Sequence, residues 1–254
     1  MTLALAVLLA IQSLDEQTLL RLLESSFGEG ETSWLLLDAR TDRLIGARWP
    51  APEQPAPIGS LVKPFTALAY GASHQYSYPV HVCSTGCWLE RGHGRIGLIE
   101  ALAQSCNSYF EQLAGETAEE DARSVAARYG FEGPPAGGSL IGRAGGWPAA
   151  PLKIARAYCE LARRAGEPGV DQALGGMAAS AAHGTARAVG GVALAKTGTA
   201  PCPHARRAPG DGSAIVLFPA KSPEFALLIR IHGAPGSEAA RKAGELLRLF
   251  REPR

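Results

Sequence analysis

The sequence has no long apolar segment. Its longest apolar run, Leu3 to Ile11, is shorter than the roughly 20 residues that a helix needs to cross a bilayer. The run fits the apolar region of a signal peptide, with Ser13 as a small residue near a cleavage site, although a basic segment before it is missing. Residues 1–13 are therefore interpreted as a signal peptide or N-terminal anchor of an exported, periplasmic or extracytoplasmic protein. The alternative is a buried helix that continues into the next segment.

The sequence also lacks an excess of charge of one sign. Its 25 Lys and Arg and 24 Asp and Glu leave a formal net charge of +1, so nucleic acid is not an expected partner. Its five cysteines are an odd number, which cannot pair completely within one chain and does not suggest a disulfide framework. The length of 254 residues is sufficient for one large domain with a substantial core, here taken as residues 14–254.

Hydrophobic periodicity and turn residues predict helices and strands along the chain. Helices are expected at residues 15–27, 60–70, 98–113, 119–129, 151–165 and 237–250, and strands at 34–38, 44–47, 192–199, 213–218 and 225–231. The strands lie near both ends of the chain, so one sheet must join them. This order predicts an α/β fold of the α+β type, with a mainly antiparallel sheet flanked by helices and a helical subdomain.

Three short motifs carry the chemistry: Ser60-Leu-Val-Lys63, Ser105-Cys-Asn107 and Lys196-Thr-Gly198. Each is weak alone, but together and in this order they are specific. On a helix, positions i and i+3 share a face, which brings the Lys63 amine beside the Ser60 hydroxyl. A serine hydroxyl becomes a good nucleophile when a nearby base takes its proton, and burial near a second lysine lowers the pKa of such an amine.

The segment IGSLVKPFTALA resembles the nucleophile helix of class B penicillin-binding proteins, and GHGRIGLIEALAQSCNSYFEQLA resembles the second-motif segment of their elongation-type members. ALAKTGTA and the preceding GTA at 184–186 resemble the third-motif region. The resemblance covers roughly residues 34 to 250 and implies the β-lactamase/transpeptidase-like fold. No large N-terminal pedestal domain is expected, because only a short segment precedes Trp34.

The resemblance implies a role for each motif residue. Ser60 would be the acylated nucleophile, Lys63 its base, Ser105 a proton relay and Lys196 a source of positive charge. Asn107, Thr197, Gly198 and Thr199 would contact the substrate, with Gly198 leaving room for it beside the strand. The implied substrates are peptidoglycan stem peptides ending in D-Ala-D-Ala, with β-lactam antibiotics as mimics and a cell-wall synthesis protein as a possible partner. No organic cofactor is implied.

A second group of residues has the chemistry of metal ligands: Cys83, Cys87, His93 and Cys106. Thiolates and imidazole suit zinc, and four such ligands would make a closed structural site. Some elongation-type penicillin-binding proteins resemble this segment, with a zinc bound by Asp, Asp, His and Cys. His93 and Cys106 match two of those positions, Cys87 replaces an Asp, and Cys83 is an inferred fourth ligand. A Cys83–Cys87 disulfide and free thiols are the alternatives.

Four further residues also have chemistry that invites an interpretation. Cys159 is expected in the core because it lies in an apolar helix. His183 is expected to be structural. Cys202 and His204 suggest another metal site, but two residues are too few to define one.

Two other functions remain open at the level of the sequence. A β-lactamase would share the nucleophile, although the sequence has no E-x-x-L-N element for a deacylating water. A non-catalytic β-lactam sensor or peptidoglycan-binding scaffold is of another class, and intact Ser60, Lys63 and Lys196 argue against it. Transpeptidase and carboxypeptidase differ only in the acceptor, amine or water, and the sequence does not separate them.

Overall fold

The computed structural model describes residues 15–27, 30, 32–85, 87–202 and 207–251. The interpretation of residues 1–13 as a signal peptide or anchor lies outside these residues. Among the described helices, none combines the length and the apolar character that crossing a membrane would require.

A five-stranded sheet runs through the centre of the fold. The chain gives β1 (Thr32–Asp38), β2 (Leu44–Arg48), β7 (Leu194–Ala200), β8 (Asp211–Phe218) and β9 (Phe225–Ile231) to this sheet in the order β2-β1-β9-β8-β7. All four pairings are antiparallel. Pairing of β1 with β9 joins the two ends of the chain, as the order of the predicted strands requires.

Eight helices accompany the sheet in the described part of the chain. The first, α1, covers residues 15–26. The others are α2 (Lys63–Ser73), α3 (Leu98–Ala103), α4 (Asn107–Gly115), α5 (Glu119–Arg128), α6 (Pro151–Arg163), α7 (Val170–Ala182) and α8 (Gly236–Arg251). Short strands β3 (Ala56–Pro57) and β6 (Pro148–Ala149) pair with each other, as do β4 (His81–Cys83) and β5 (Gly94–Ile96). The predicted α+β fold is confirmed.

The two faces of the sheet belong to different cores because successive side chains of a strand point to opposite faces. Ile215 and Leu228 face the core that contains α2 and α6. Val216 and Leu227 face the core that contains α1 and α8. A third core lies around α3 and α4 and includes Cys83 and Cys106. Cys159 is fully buried, as expected.

The sequence interpretation of the helices is wrong at two places. The helix expected at 98–113 is interrupted between α3 and α4, where Ser105 adopts a φ of 52°. An L-residue in this left-handed region cannot continue an α-helix. The second difference is α7, which the sequence interpretation did not include; it carries two glycines, and Gly176 allows close packing against Leu102.

Candidate active site

Ser60 lies in a short 3₁₀ turn, Gly59–Val62, directly before α2. Gly59 has a φ of 56°, and a Cβ there would stand 2.5 Å from the carbonyl oxygen of Thr199 on β7. Glycine is the residue that accepts both this backbone conformation and so close an approach. The nucleophile turn is therefore pressed against the backbone of the third motif.

Gly198 is packed on two sides. A Cβ at Gly198 would lie 2.7 Å from the carbonyl oxygen of Ile58, and a Cβ at Gly236 would lie 2.4 Å from the carbonyl oxygen of Gly198. Three backbone segments therefore pack against one another at distances that leave no space for a Cβ: the turn that contains Gly59, β7 and the start of α8. The direction of a Cβ at Gly198 is occupied by Ile58 and Leu61, so a side chain there would meet this turn.

The second motif lies in the break between α3 and α4. Cys106 caps α4, and its Sγ accepts a hydrogen bond from the backbone N–H of Tyr109 at 3.4 Å. The left-handed backbone of Ser105 turns both its carbonyl and its hydroxyl toward buried lysines. Such strained conformations cost about 1–3 kcal/mol and are concentrated at functional sites.

Two fully buried lysines meet at Ser105. Lys63 Nζ donates to the Ser105 carbonyl oxygen at 2.8 Å and to Asn107 Oδ1 at 2.7 Å, and it lies 3.4 Å from Ser105 Oγ. Lys196 Nζ donates to Ser105 Oγ at 2.9 Å. Neither lysine has a carboxylate partner in the described part of the chain, so both amines are held by neutral oxygens.

Burial has the largest effect on the pKa of both amines. It lowers the pKa of Lys63 to about 7, against the smaller opposing effects of Cys106 and Cys87. Burial and then the nearby charge of Lys63 lower the pKa of Lys196 well below its ordinary value. A lysine whose pKa lies near neutrality can accept a proton at the pH at which most proteins work.

A cleft of about 600 Å³ opens over these groups. Ser60, Ser105, Asn107, Thr197, Gly198 and Thr199 all line it, so the three motifs meet in one place. Lys63 and Lys196 lie beneath the lining, in contact with Ser105. Within the described residues no hydrogen bond reaches the Ser60 hydroxyl, so the expected contact between Lys63 and that oxygen is absent here, and the amine is directed to Ser105 instead.

The hydroxyls of the third motif are positioned by neighbours. Thr185 Oγ1 lies 2.6 Å from Thr197 Oγ1 and 3.3 Å from the carbonyl oxygen of Ala103. Thr199 Oγ1 accepts a hydrogen bond from the backbone N–H of Gly236 at 3.0 Å, which leaves its own proton free to donate into the cleft. The positive end of α8 begins at Gly236, and an anion bound here is stabilised by that end of the helix dipole.

Several residues that line the cleft were missed by the sequence interpretation, and two of them have large, exposed side chains. Trp88 is 54% exposed and lines the cleft, with its Nε1 donating to the carbonyl oxygen of Gln104 at 3.0 Å. Arg187, which is exposed, lines the cleft near Thr197 and Thr199. A tryptophan next to Cys87, in a segment that the sequence predicts to be a loop, could have indicated this role, because aromatic side chains commonly line ligand pockets.

The four sequence-predicted zinc ligands converge behind the second motif. The donor atoms of Cys83, Cys87, His93 and Cys106 all lie within 4.8 Å of one another. Cys87 Sγ is 3.8 Å from Cys106 Sγ, and Cys83 Sγ is 3.5 Å from His93 Nδ1. Tetrahedral zinc with its usual bond lengths requires separations of about 3.8 Å between two sulfurs and about 3.6 Å between sulfur and nitrogen.

The chemistry of these four residues also fits a metal. All are free thiols or neutral imidazole, since burial lowers the pKa of His93. Burial raises the pKa of Cys87, but hydrogen bonds from the backbone amides of Ser108 and Asn107 outweigh it and leave the pKa lowered. Burial raises the pKa of Cys106, so a bound metal would have to displace its thiol proton. His93 Nε2 is buried without a hydrogen-bond partner, so the ring is not otherwise satisfied.

The metal-ligand group, defined as Cys83, Cys87, His93 and Cys106, touches the second motif directly. The backbone N–H of Asn107 donates to Cys87 Sγ at 3.3 Å, while the side-chain oxygen of Asn107 accepts from Lys63. Asn107 therefore links the sulfur group to the buried amine.

Residues 47–163 match the model of the penicillin binding protein transpeptidase domain. This range contains Ser60, Lys63, Ser105, Asn107 and the metal-ligand group, and it ends before the third motif. No curated protein sequence matches the chain.

Solved structures of this family share the fold. PBP2 of Pseudomonas aeruginosa, in complex with WCK 5153, is 17% identical with a TM-score of 0.72, over 92% of this chain and 73% of that one. PBP2 of Helicobacter pylori, in complex with MreC, is 18% identical with a TM-score of 0.74, over 91% of this chain and 62% of that one. The transpeptidase domain of Legionella pneumophila FtsI4 is 17% identical with a TM-score of 0.67, over 94% of both chains.

The family model matches the segment that carries the first two motifs, in agreement with the family predicted from the three motifs. The solved structures share the fold, which extends over the sheet that carries the third motif. Residues 47–163 are therefore similar to the penicillin binding protein transpeptidase domain, and the chain as a whole has the fold of such domains.

Proposed function

We propose that this protein is a serine D,D-transpeptidase or carboxypeptidase that acts on peptidoglycan stem peptides through an acyl-enzyme on Ser60. One observation carries the proposal: two buried lysine amines converge on the Ser105 hydroxyl at the base of a cleft that Ser60 lines. An amine of lowered pKa beneath the cleft that holds the hydroxyl nucleophile is an arrangement that favours acyl transfer.

In the acylation step, Ser60 Oγ attacks the carbonyl carbon of the penultimate D-Ala. Its proton passes to the neutral Lys63 amine, which takes it up because its pKa is near 7. The peptide C–N bond then breaks, and the terminal D-Ala leaves with a proton relayed through the Ser105 hydroxyl, which contacts both amines. The ester on Ser60 is resolved by an amine in a transpeptidase or by water in a carboxypeptidase.

The opposite side of the cleft would bind the terminal carboxylate of the stem peptide. Thr197 and Thr199 present hydroxyls there, the start of α8 adds a positive dipole end, and Arg187 adds a cation. Trp88 gives the cleft an apolar wall on the other side, against which the peptide or an attached sugar can pack. Asn107 would bind the peptide backbone.

We propose that Cys83, Cys87, His93 and Cys106 hold a structural zinc ion. Four protein ligands leave no open position, so the metal would contribute rigidity rather than chemistry. Two of these residues already stabilise the break between α3 and α4. Cys106 caps α4, and Cys87 Sγ accepts a hydrogen bond from the backbone N–H of Asn107.

The site of action follows from the substrate. Peptidoglycan lies outside the cytoplasmic membrane, so the proposed activity requires export, which agrees with the interpretation of residues 1–13. By analogy with the Helicobacter pylori complex with MreC, a cell-wall synthesis protein is a plausible class of partner.

Acylation by a fluorescent penicillin, followed by intact mass spectrometry, tests the proposed function. We expect one adduct per chain on Ser60, absent from the Ser60→Ala variant and retained by Ser25→Ala, whose exposed hydroxyl contacts only its own helix. An adduct that persists in Ser60→Ala would overturn the assignment of the nucleophile. Rapid loss of the wild-type adduct with release of penicilloate would assign a β-lactamase instead, because a D,D-transpeptidase holds the acyl group.

Metal analysis of the same preparations tests the zinc proposal. We expect the Cys87→Ser variant to lose the zinc bound at Cys87. Circular dichroism should show that the variant keeps the wild-type fold. Cys159→Ser is the matched control, since this thiol is buried in α6 away from the metal-ligand group. Equal zinc contents in wild type and Cys87→Ser would refute the site.

A further inference from the structure

We propose that Cys202, Asp211 and His232 form a second metal site, for a zinc-class divalent ion, at the end of the sheet beside the active-site cleft. The donor atoms of these three residues lie within 4.8 Å of one another. The sequence alone drew attention to Cys202 and His204. The structure supplies two other partners, Asp211 and His232, while His204 lies outside the described residues.

The register of the sheet explains the convergence. Asp211 is paired with Ala200 at the end of β7, and the antiparallel register of β8 and β9 continues from Gly212 and Ile231 to place Asp211 opposite His232. Directly opposed residues in an antiparallel pair point to the same face. Cys202 follows Ala200 by two residues, so its thiol arrives at the same end of the sheet.

The donors have the chemistry of a transition-metal site. A thiol, a carboxylate and an imidazole are the three side-chain types that zinc uses, and a three-residue site leaves one position open. Asp211 is only 4% exposed, and its Oδ1 lies 2.7 Å from His232 Nδ1. Cys202 Sγ donates its proton to the Arg207 carbonyl oxygen at 3.3 Å.

Metal binding would require the hydrogen-bonded pair of Asp211 and His232 to open. Two ligands of tetrahedral zinc with nitrogen and oxygen donors stand about 3.4 Å apart, so the Asp211–His232 pair must open by roughly 0.7 Å. The proton of their hydrogen bond and the thiol proton of Cys202 would leave as the metal enters, as is general for such ligands.

The surrounding charges are compatible with a cation. A thiolate and a carboxylate give the site two negative charges, and Arg230 Nη1 lies 3.9 Å from the other carboxylate oxygen, Asp211 Oδ2. A ligating carboxylate is commonly held in place by a partner on its second oxygen. Arg230 is itself held over the Trp49 ring at 4.7 Å and by Ser33.

A metal here would fasten the chain between β7 and β8 to the end of β9. Thr199, which lines the cleft, lies on β7 only three residues before Cys202. The ion would thus brace the substrate-binding end of the third motif, from the side opposite the metal-ligand group.

The stoichiometry of zinc binding tests this inference. After chelation and reloading with Zn²⁺, we expect two equivalents per chain in wild type, and one in both Cys202→Ser and His232→Gln. His183→Gln is the matched control and should keep two, because His183 pairs with Glu100 outside both groups. Loading with Co²⁺ gives a second readout, since loss of the thiolate in Cys202→Ser removes part of the sulfur-to-cobalt absorption.

The outcomes separate the two proposed sites. If Cys202→Ser and His232→Gln bind as much zinc and give the same cobalt spectrum as wild type, the second site is refuted, and Asp211, His232 and Arg230 are only a polar brace. One equivalent in wild type that is lost in Cys202→Ser, but kept in Cys87→Ser, would support the second site and refute the first.

Discussion

The two walls of the cleft are built by different means. The helical wall, formed by α2, the break after α3 and α4, is held by side-chain chemistry: Lys63 is bound to Ser105 and Asn107, and the metal-ligand group lies behind them. The sheet wall, formed by β7 and the start of α8, is held by backbone contact that three glycines permit. The comparison teaches that the helical wall can be weakened by removing one polar group, while the sheet wall is weakened by adding one methyl group.

The two walls also differ in what they give to the reaction. The helical wall supplies the group whose protonation changes near neutrality, since burial lowers the pKa of Lys63 to about 7. The sheet wall supplies hydroxyl donors and a helix terminus, whose charge does not change, together with Lys196, whose pKa burial lowers well below its ordinary value. The helical wall therefore supplies the proposed base, and the sheet wall supplies most of the groups proposed to bind the substrate.

The largest effect is expected from Lys63→Met. Loss of the amine removes the base, and general-base catalysis is worth about 10²- to 10⁴-fold, so the rate of acylation by penicillin should fall by that factor. Stopped-flow measurement with a fluorescent penicillin checks it. Lys153→Met is the control, because Lys153 is a surface lysine paired with Glu132. A variant that keeps a tenth of the wild-type rate would show that the helical wall does not supply the base.

Gly198→Ala addresses the sheet wall. The added methyl group meets the carbonyl oxygen of Ile58 at 2.7 Å, and overpacking of this kind costs about 1–3 kcal/mol in the free energy of unfolding. Urea denaturation measures the loss. Gly191→Ala should change stability by less than about 0.5 kcal/mol, because no atom lies within 4 Å of its Cβ position. Equal stability of the two variants would remove the basis for the contrast between the walls.

The pH profile of acylation sharpens the assignment of the base. Because the neutral form of Lys63 is the active one, the rate should rise about tenfold per pH unit below 7 and level off above it. Rates between pH 5.5 and 8.5 check this, with circular dichroism to confirm that the fold is unchanged. A flat profile across this range would show that no group with a pKa near 7 takes the proton.

The smallest effect is expected from Thr185→Val. This change removes the hydroxyl that lies 2.6 Å from Thr197 Oγ1, and a hydrogen bond of this kind is worth about 1 kcal/mol, or roughly a fivefold lower acylation rate. Thr185→Ser keeps the hydroxyl and should restore the wild-type rate. If the serine variant is as slow as the valine variant, the effect comes from packing, not from the hydrogen bond.

Much of the fold could be predicted from the sequence because the strands and most helices follow hydrophobic periodicity closely. Phe225–Ile231 has the same bounds in both, and Asp211–Phe218 differs only at its start. The break at Ser105 could not be predicted, because no residue between 98 and 113 is a glycine or a proline that would signal it. Tertiary contacts of Ser105 with the two lysines compensate for a conformation that local sequence disfavours.

The candidate site likewise combines features that the sequence predicts with features that only the structure shows. The spacing of Ser60 and Lys63 predicts an interaction along one helix, but Ser60 lies in a 3₁₀ turn before α2, and the Lys63 amine donates to Ser105 and Asn107. The partners of Cys202 could not be found by spacing, since Asp211 and His232 come together through the register of two strands. Long-range pairing is the information that a single sequence conceals.

Pairing of β1 with β9 has a consequence for the order of events on the ribosome. Ser60 and its turn are synthesised early, but the strand that completes the sheet between β1 and β8 is among the last segments to appear. Contacts so distant along the chain form late and slowly. The nascent polypeptide therefore cannot acquire a working reaction centre in stages, and fragments that stop short of Phe225 should bind no penicillin at all.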